Sequence, residues 1–168
     1  MRALALIPVL LVAACGEAPA ENKAAPAAAA PSPGQWELTT EVTRFTKADQ
    51  GTPRIDTPAG TRTTARVCVG PGDQLPSAFF AGENFTCTYP TYYVRGGRIN
   101  LTLNCRREGL SGDIPMTVNG TFTGDSAEYT RNTRTVLVSD GDVEIDARVA
   151  ARRTGDCTPA AASEGAPK

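Results

Sequence analysis

Ile99-Asn100-Leu101-Thr102-Leu103-Asn104-Cys105 is apolar at every odd position and polar at every even one. A period of two is the mark of a strand with one face buried and one face wet. The same alternation recurs outward from this stretch. Ile114, Met116, Val118 and Phe122 share one face while Thr117, Asn119, Thr121 and Thr123 share the other, and Val143, Ile145, Ala147 and Val149 form a third apolar row. Trp36, Leu38, Thr40 and Val42 form a fourth, and further strands are expected at 61–69, 85–94 and 127–138. Sheets with one solvated face are typically antiparallel. The fold class read from this is all-β, an antiparallel meander forming a curved sheet or small barrel. Only 71–82, with Leu75, Phe79 and Phe80 among prolines and glycines, offers room for one short helix.

Turn signals between these rows constrain the register. Arg95-Gly96-Gly97-Arg98 marks a hairpin. A two-residue turn there would place Cys87 opposite Arg106, whereas a three-residue loop, 95–97, places Tyr93 opposite Ile99, Tyr89 opposite Leu103 and Cys87 opposite Cys105. Directly opposed residues lie close enough for a disulfide. The expected bridges are therefore Cys87 to Cys105 and, with the remaining pair, Cys68 to Cys157. Closing so long a loop contributes about 4 to 5 kcal/mol on the chain-entropy account. Further along, a two-residue Asp140-Gly141 turn would put Val138 opposite Val143 and Val136 opposite Ile145. A Gly124-Asp125 turn puts Tyr129 on that same face. Tyr129 is odd and Val136 even, so either the strand bulges near 131–134 or one of the two turns is misread.

The N-terminus carries Arg2, an apolar run from Ala3 to Ala14 interrupted by Pro8, and small residues before Cys15. That layout is a secretory signal, too short for a membrane span, which needs roughly 20 apolar residues. Leu11-Val12-Ala13-Ala14-Cys15 resembles the lipobox of bacterial lipoproteins. The resemblance implies removal of 1–14 and acylation of Cys15, with several acyl chains such as palmitate giving durable anchoring where a single chain would be marginal. Gly16 after the cysteine favours, by analogy with such lipoproteins, an outer-membrane anchor facing the periplasm. Parity supports the assignment: of five cysteines, spending Cys15 on lipid leaves an even set, Cys68, Cys87, Cys105 and Cys157, for disulfides in an oxidising compartment. The organisation expected is a leader at 1–14, a lipidated cysteine with an extended Ala/Pro tether at 15–34, a β domain at 35–157, and a tail at 158–168 of the same Ala/Pro character.

The 17 Lys+Arg and 18 Asp+Glu leave a net charge of -1, with no electrostatic reason to expect nucleic acid as a partner. Histidine is absent, which excludes Ser-His-Asp and Cys-His catalysis. Lys47 is the one lysine in the domain, so a Ser-Lys dyad has little material, and paired carboxylates would need a cleft with sugar-stacking aromatics where there is a single Trp. Asp140, Asp142, Glu144 and Asp146 repeat at spacing two and are a candidate cation site, calcium being the hard ion that carboxylates suit. The plainer reading is a solvated face that discourages edge pairing. Arg106-Arg107 and Arg152-Arg153 are basic pairs, but neighbours on a strand point to opposite faces. Trp36, Tyr89, Tyr92 and Tyr93 are candidates for a ligand pocket or, more plainly, for the core. No cofactor motif is present.

Four stretches then coincide: Pro33-Gly34-Gln35-Trp36-Glu37-Leu38-Thr39-Thr40, Arg66-Val67-Cys68-Val69-Gly70-Pro71, Gly120-Thr121-Phe122-Thr123-Gly124-Asp125, and Ala151-Arg152-Arg153-Thr154-Gly155-Asp156-Cys157. In this order, with four cysteines, the region 33–157 resembles the domain of unknown function family 3617, a group of exported proteobacterial proteins. The resemblance implies an all-β envelope domain and carries no catalytic or binding residue across. The expectation is a non-enzymatic envelope module that binds a protein or another envelope component. The alternative is a carrier or sensor holding an apolar small molecule or lipid in the concave face, and a hydrolase stands third.

Overall fold

In the computed structural model the described residues are 28–72, 74–138 and 141–157. The expected leader, Cys15, most of the tether, Asp140 and the tail lie outside them. Eight strands and one helix follow in chain order: β1 (Gly34–Lys47), β2 (Arg62–Val69), α1 (Ser77–Ala81), β3 (Phe85–Arg95), β4 (Arg98–Arg107), β5 (Gly112–Phe122), β6 (Ser126–Arg134), β7 (Val136–Leu137) and β8 (Val143–Gly155). The sheet order is β2-β1-β8-β6-β5-β4-β3, with β7 paired to β5 off the main path. Every ladder is antiparallel. From β3 to β8 the chain meanders, and β1 then lies beside β8, so the first and last long strands are neighbours. Among the described residues β2 and β3 share no ladder, which leaves a curled half-barrel with two edges.

The apolar rows face inward as their periodicity predicts. Trp36, Leu38 and Val42 from β1, Ile99, Leu101 and Leu103 from β4, Ile114, Met116 and Val118 from β5, and Val143, Ile145 and Val149 from β8 are all buried in one core. A register shift between Val42 and Arg44 inserts Thr43 as an extra residue and reverses the alternation beyond it. Phe45 consequently packs against the core, and Arg44 turns to solvent beside β8.

Two register readings are corrected. The β3–β4 hairpin turns through Gly96-Gly97 alone, with Arg95 opposite Arg98 and Val94 opposite Ile99. Both glycines have positive φ, 59° and 75°, the backbone of a tight turn whose twist matches its strands. Cys87 still lies opposite Cys105, because the register shifts between Thr88 and Thr91, where Tyr89 and Pro90 together face Leu103. Pro90 has no N–H to give a ladder, so the extra residue falls where pairing is weakest. Tyr93 is thereby turned outward, 38% exposed, with the Arg95 guanidinium 4.7 Å from its ring centre.

The parity conflict in β6 resolves as a misread turn. β6 pairs β8 without any shift from Ser126–Arg152 to Arg134–Glu144, so Tyr129 lies opposite Val149 and Thr133 opposite Ile145. The chain then leaves this ladder. β7 moves across to Gly112 and Asp113 at the start of β5, and Val136 and Val138 stand 57% and 66% exposed. The expected Gly124-Asp125 turn is present: Phe122 pairs with Ala127, and the Thr123 N–H donates to the Ser126 carbonyl at 2.7 Å.

Both expected disulfides form, Cys87–Cys105 between β3 and β4 and Cys68–Cys157 from the β2 edge to the segment after β8. The single short helix forms inside the range expected for it. Lying between β2 and β3 in the chain, it joins the two edges of the half-barrel, with Phe79 and Phe80 wholly buried within the core.

Candidate functional site

A five-residue helix has no intrinsic stability in water, and Pro76, at the N-cap of α1, offers no side-chain cap. Its position is set by what it buries and by what holds its backbone. Phe79 meets Trp36 edge-on, ring centres 5.4 Å apart, and Phe80 meets Phe79, Tyr89 and Tyr129 in the same manner. Such contacts place the positive edge of one ring against the negative face of the next. Backbone groups of the segment are then served by side chains of the sheet. Tyr89 Oη donates to the Leu75 carbonyl at 3.2 Å, and the Leu75 N–H donates to Tyr92 Oη at 2.9 Å. Tyr129 Oη donates to the Phe79 carbonyl, and Arg131 Nη1 to the Phe80 carbonyl at 2.9 Å. Burial pushes the phenols of Tyr89, Tyr92 and Tyr129 above the ordinary tyrosine value of 10.0. Of the aromatic residues named from sequence, Trp36, Tyr89 and Tyr92 thus surround α1, and Tyr93 does not.

Arg131 is the exceptional member of this group. By its odd position in an unshifted β6 it points inward, opposite Val118 on β5 and Ala147 on β8. Burial lowers its affinity for the proton, opposed by the nearby Tyr129, yet a guanidinium stays charged throughout. Nε is sealed from solvent without a hydrogen-bond partner, the one such side-chain atom among the described residues.

The acidic row divides in two. Glu144 and Asp146 point outward and are gripped by Arg44, at 2.9 and 2.6 Å, and by the Asn132 amide, at 3.1 and 2.7 Å. The Asn132 bond, followed by that from Arg44, holds the Asp146 carboxyl below the usual range. Asp142 turns elsewhere. Its Oδ1 accepts from Thr135 Oγ1 at 2.9 Å and from the Leu137 N–H at 2.8 Å, which fixes the segment between β6 and β8. Among the described residues no three acids, or acids and cysteines, converge on a point that would hold a metal ion. The arginine pairs split as adjacent strand residues must: Arg106 reaches Asp113 at 3.3 Å, and Arg107 lies over the Phe85 ring at 5.6 Å. On the outer face a broad depression of about 530 Å³ is lined by Glu41, Arg62, Glu128 and Arg148 together with Gly120 and Ala150.

The four stretches that carry the family resemblance meet at one end of the sheet. Arg153 Nε donates to the Pro33 carbonyl at 2.7 Å, and its Nη2 reaches Asp156 at 2.7 Å. Trp36 Nε1 donates to the Ser32 carbonyl at 3.0 Å, and the Ser32 N–H donates to the Gly124 carbonyl at 2.7 Å. A Cβ on Gly34 would stand 2.4 Å from the Gly155 carbonyl oxygen, so that crossing of β1 and β8 requires glycine. Cys68–Cys157 staples the same end. These motifs therefore build the latch that holds the two termini of the domain together.

Tyr129, Arg131 and the role of α1 were not legible as a site. The available signal was Leu75 and Phe79 at helical spacing, and Arg131 at an odd position beside Tyr129. No curated protein and no solved structure matches the chain. A family model described as protein of unknown function (DUF3617) matches residues 31–157, from the start of the latch to its closing cysteine. The chain belongs to that family.

Proposed function

We propose that this protein is a non-enzymatic module of the bacterial cell envelope, carried on lipid at Cys15 by an Ala/Pro tether, that binds a protein or another envelope component. The observation that supports this reading is the filled concave face. Trp36, Phe79, Phe80 and Tyr129 occupy the interior, so recognition by the domain as it stands falls to the outer face with its depression. Two disulfides suit an oxidising compartment. Of the acidic row, Glu144 and Asp146 are engaged with Arg44 and Asn132 on the wet face.

Metabolic labelling with radioactive palmitate, followed by membrane fractionation, tests the anchor. The chain should carry label and sediment with the outer membrane, and C15S should lose both. An unlabelled wild-type chain refutes lipid anchoring. Native mass spectrometry of the C15S chain tests the binding class: a bare protein mass agrees with the module reading, and a co-purifying lipid transfers the assignment to a carrier.

A further inference from the structure

We propose that Arg131 is the anion-receiving residue of a ligand site inside the half-barrel, for an amphiphile with an acidic head and an acyl tail, and that α1 covers this site. This requires α1 to leave the concave face that it fills in the domain as it stands, would add a carrier's ligand to the envelope module, and does not depend on the lipid anchor.

The first argument is the unbalanced charge. Among the described residues no carboxylate lies within ion-pair distance of Arg131, and its one hydrogen bond goes to a neutral carbonyl, that of Phe80. Its strand neighbours on the inner face are Val118 and Ala147. Burying a charge without a counter-ion is destabilising, and an apolar side chain of similar size would spare the fold that penalty. A guanidinium has five donors. Here Nε is sealed and unpaired, while the residue keeps a rim of solvent contact through which a head group would reach it.

The second argument is the nature of the cover. Beyond its buried rings, α1 is held by Tyr89, Tyr129 and Arg131, each donating to a carbonyl oxygen of the 75–80 segment. Tyr129 and Arg131 donate to adjacent carbonyls, those of Phe79 and Phe80, and a charged guanidinium suits the oxygens of a carboxylate or phosphate better than a neutral carbonyl. Before and after the helix stand Gly72 and Gly82, and a Cβ on Gly70 or Gly72 would meet nothing within 4 Å. The chain at Gly70 and Gly72 is therefore unpacked, and Leu75, buried and bonded to Tyr89 and Tyr92, is the point that would have to release for α1 to move. Phe79 and Phe80 fill apolar space between Trp36, Tyr89 and Tyr129, and an acyl tail would bury the same walls in their place.

Trp36 is the only tryptophan and touches Phe79, so its emission reports movement of α1. The full chain carrying C15S, oxidised and free of attached lipid, is titrated with dodecanoate, dodecyl phosphate and dodecanol. The two acids separate a free fatty acid from a phosphate-headed lipid as the source. One or both should give a saturable single-site change, and dodecanol should bind about 10- to 100-fold more weakly, the worth of a charge-assisted hydrogen bond. R131M should bind acids and alcohol alike and melt at the same or a higher temperature. R131K, which keeps the charge without the fork, should retain a reduced preference for acids and serves if R131M does not fold. No saturable response to either acid overturns the proposal, as does dodecanol binding as tightly as the acids. An undiminished acid preference in R131M overturns it too. If R131M instead melts lower and the wild type ignores the acids, Arg131 only holds the Phe80 carbonyl.

Discussion

Phe80→Ala tests whether α1 is part of the core or merely lies near it. The Phe80 ring is wholly buried and meets three other rings, those of Phe79, Tyr89 and Tyr129. Truncation removes the transfer free energy of a buried ring and leaves a cavity that strands joined in one sheet are slow to close, a loss of about 3 to 5 kcal/mol. Each edge-on aromatic contact accounts for about 0.5 to 1.5 kcal/mol, so the rings themselves make up a large part of that figure. For a domain of this length 1 kcal/mol moves the midpoint by about 3 to 5 °C, and the expected fall is about 10 to 20 °C. The assay is thermal and guanidinium unfolding of the oxidised chain, followed by far-ultraviolet circular dichroism, with the denaturant slope compared between variants. Val136→Ala is the control. That side chain is 57% exposed, and its loss should stay within about 0.5 kcal/mol. A Phe80→Ala loss below about 1 kcal/mol with an unchanged slope would refute the seating of α1 in the concave face.

The two bridges should differ in worth. Removing Cys68–Cys157, with a separation of 89 residues, should cost about 4.6 kcal/mol, against about 3.2 for Cys87–Cys105, with a separation of 18. Guanidinium melts of the two double-serine variants that reversed this order would count against the pairing. Gly97 sits at φ 75°, and Gly97→Ala should cost about 1 to 2 kcal/mol by the same measurement. Tyr129→Phe leaves the Phe79 carbonyl without its donor and should cost about 1 to 3 kcal/mol, whereas an unchanged melt would show that this bond is replaced. The phenols of Tyr89, Tyr92 and Tyr129 are all raised by burial, so the unfolded chain ionises first. Stability from these groups is full below about pH 10 and is lost as pH rises from there through their folded values. Unfolding of the Tyr93→Phe chain monitored between pH 8 and pH 12 should show cooperative loss of structure accompanying tyrosinate absorbance, and ionisation of Tyr89, Tyr92 or Tyr129 without unfolding would contradict their burial.

The partition between what was legible and what was not follows from the range of the interactions concerned. Ile99, Leu101 and Leu103, or Val143, Ile145 and Val149, announce their inward face because alternation is a property of a few consecutive residues. The disulfide between Cys87 and Cys105 was also readable, though the register that produces it was assigned to the wrong cause. Turn and bulge have the same effect on parity, and only the neighbouring strand decides between them: Tyr89 and Pro90 facing Leu103 is a pairing between chain segments, invisible in either alone. Arg131 was masked by the same ambiguity. A bulge in β6 was one way to keep an arginine out of the core, and the intact β6–β8 ladder points it inward.

By itself, then, the sequence determined the strand class, the buried rows and the place of the one helix, since each rests on local period or on punctuating turns, while the cysteine pairing followed from a register that the neighbouring strand sets. Only the tertiary structure decided that β1 and β8 are neighbours, that the family's four stretches form one latch, and that α1 fills the half-barrel against Arg131. Those depend on which distant segments bury surface against each other, and hydrophobic burial, being non-directional, leaves no spacing in the chain from which the partner can be read.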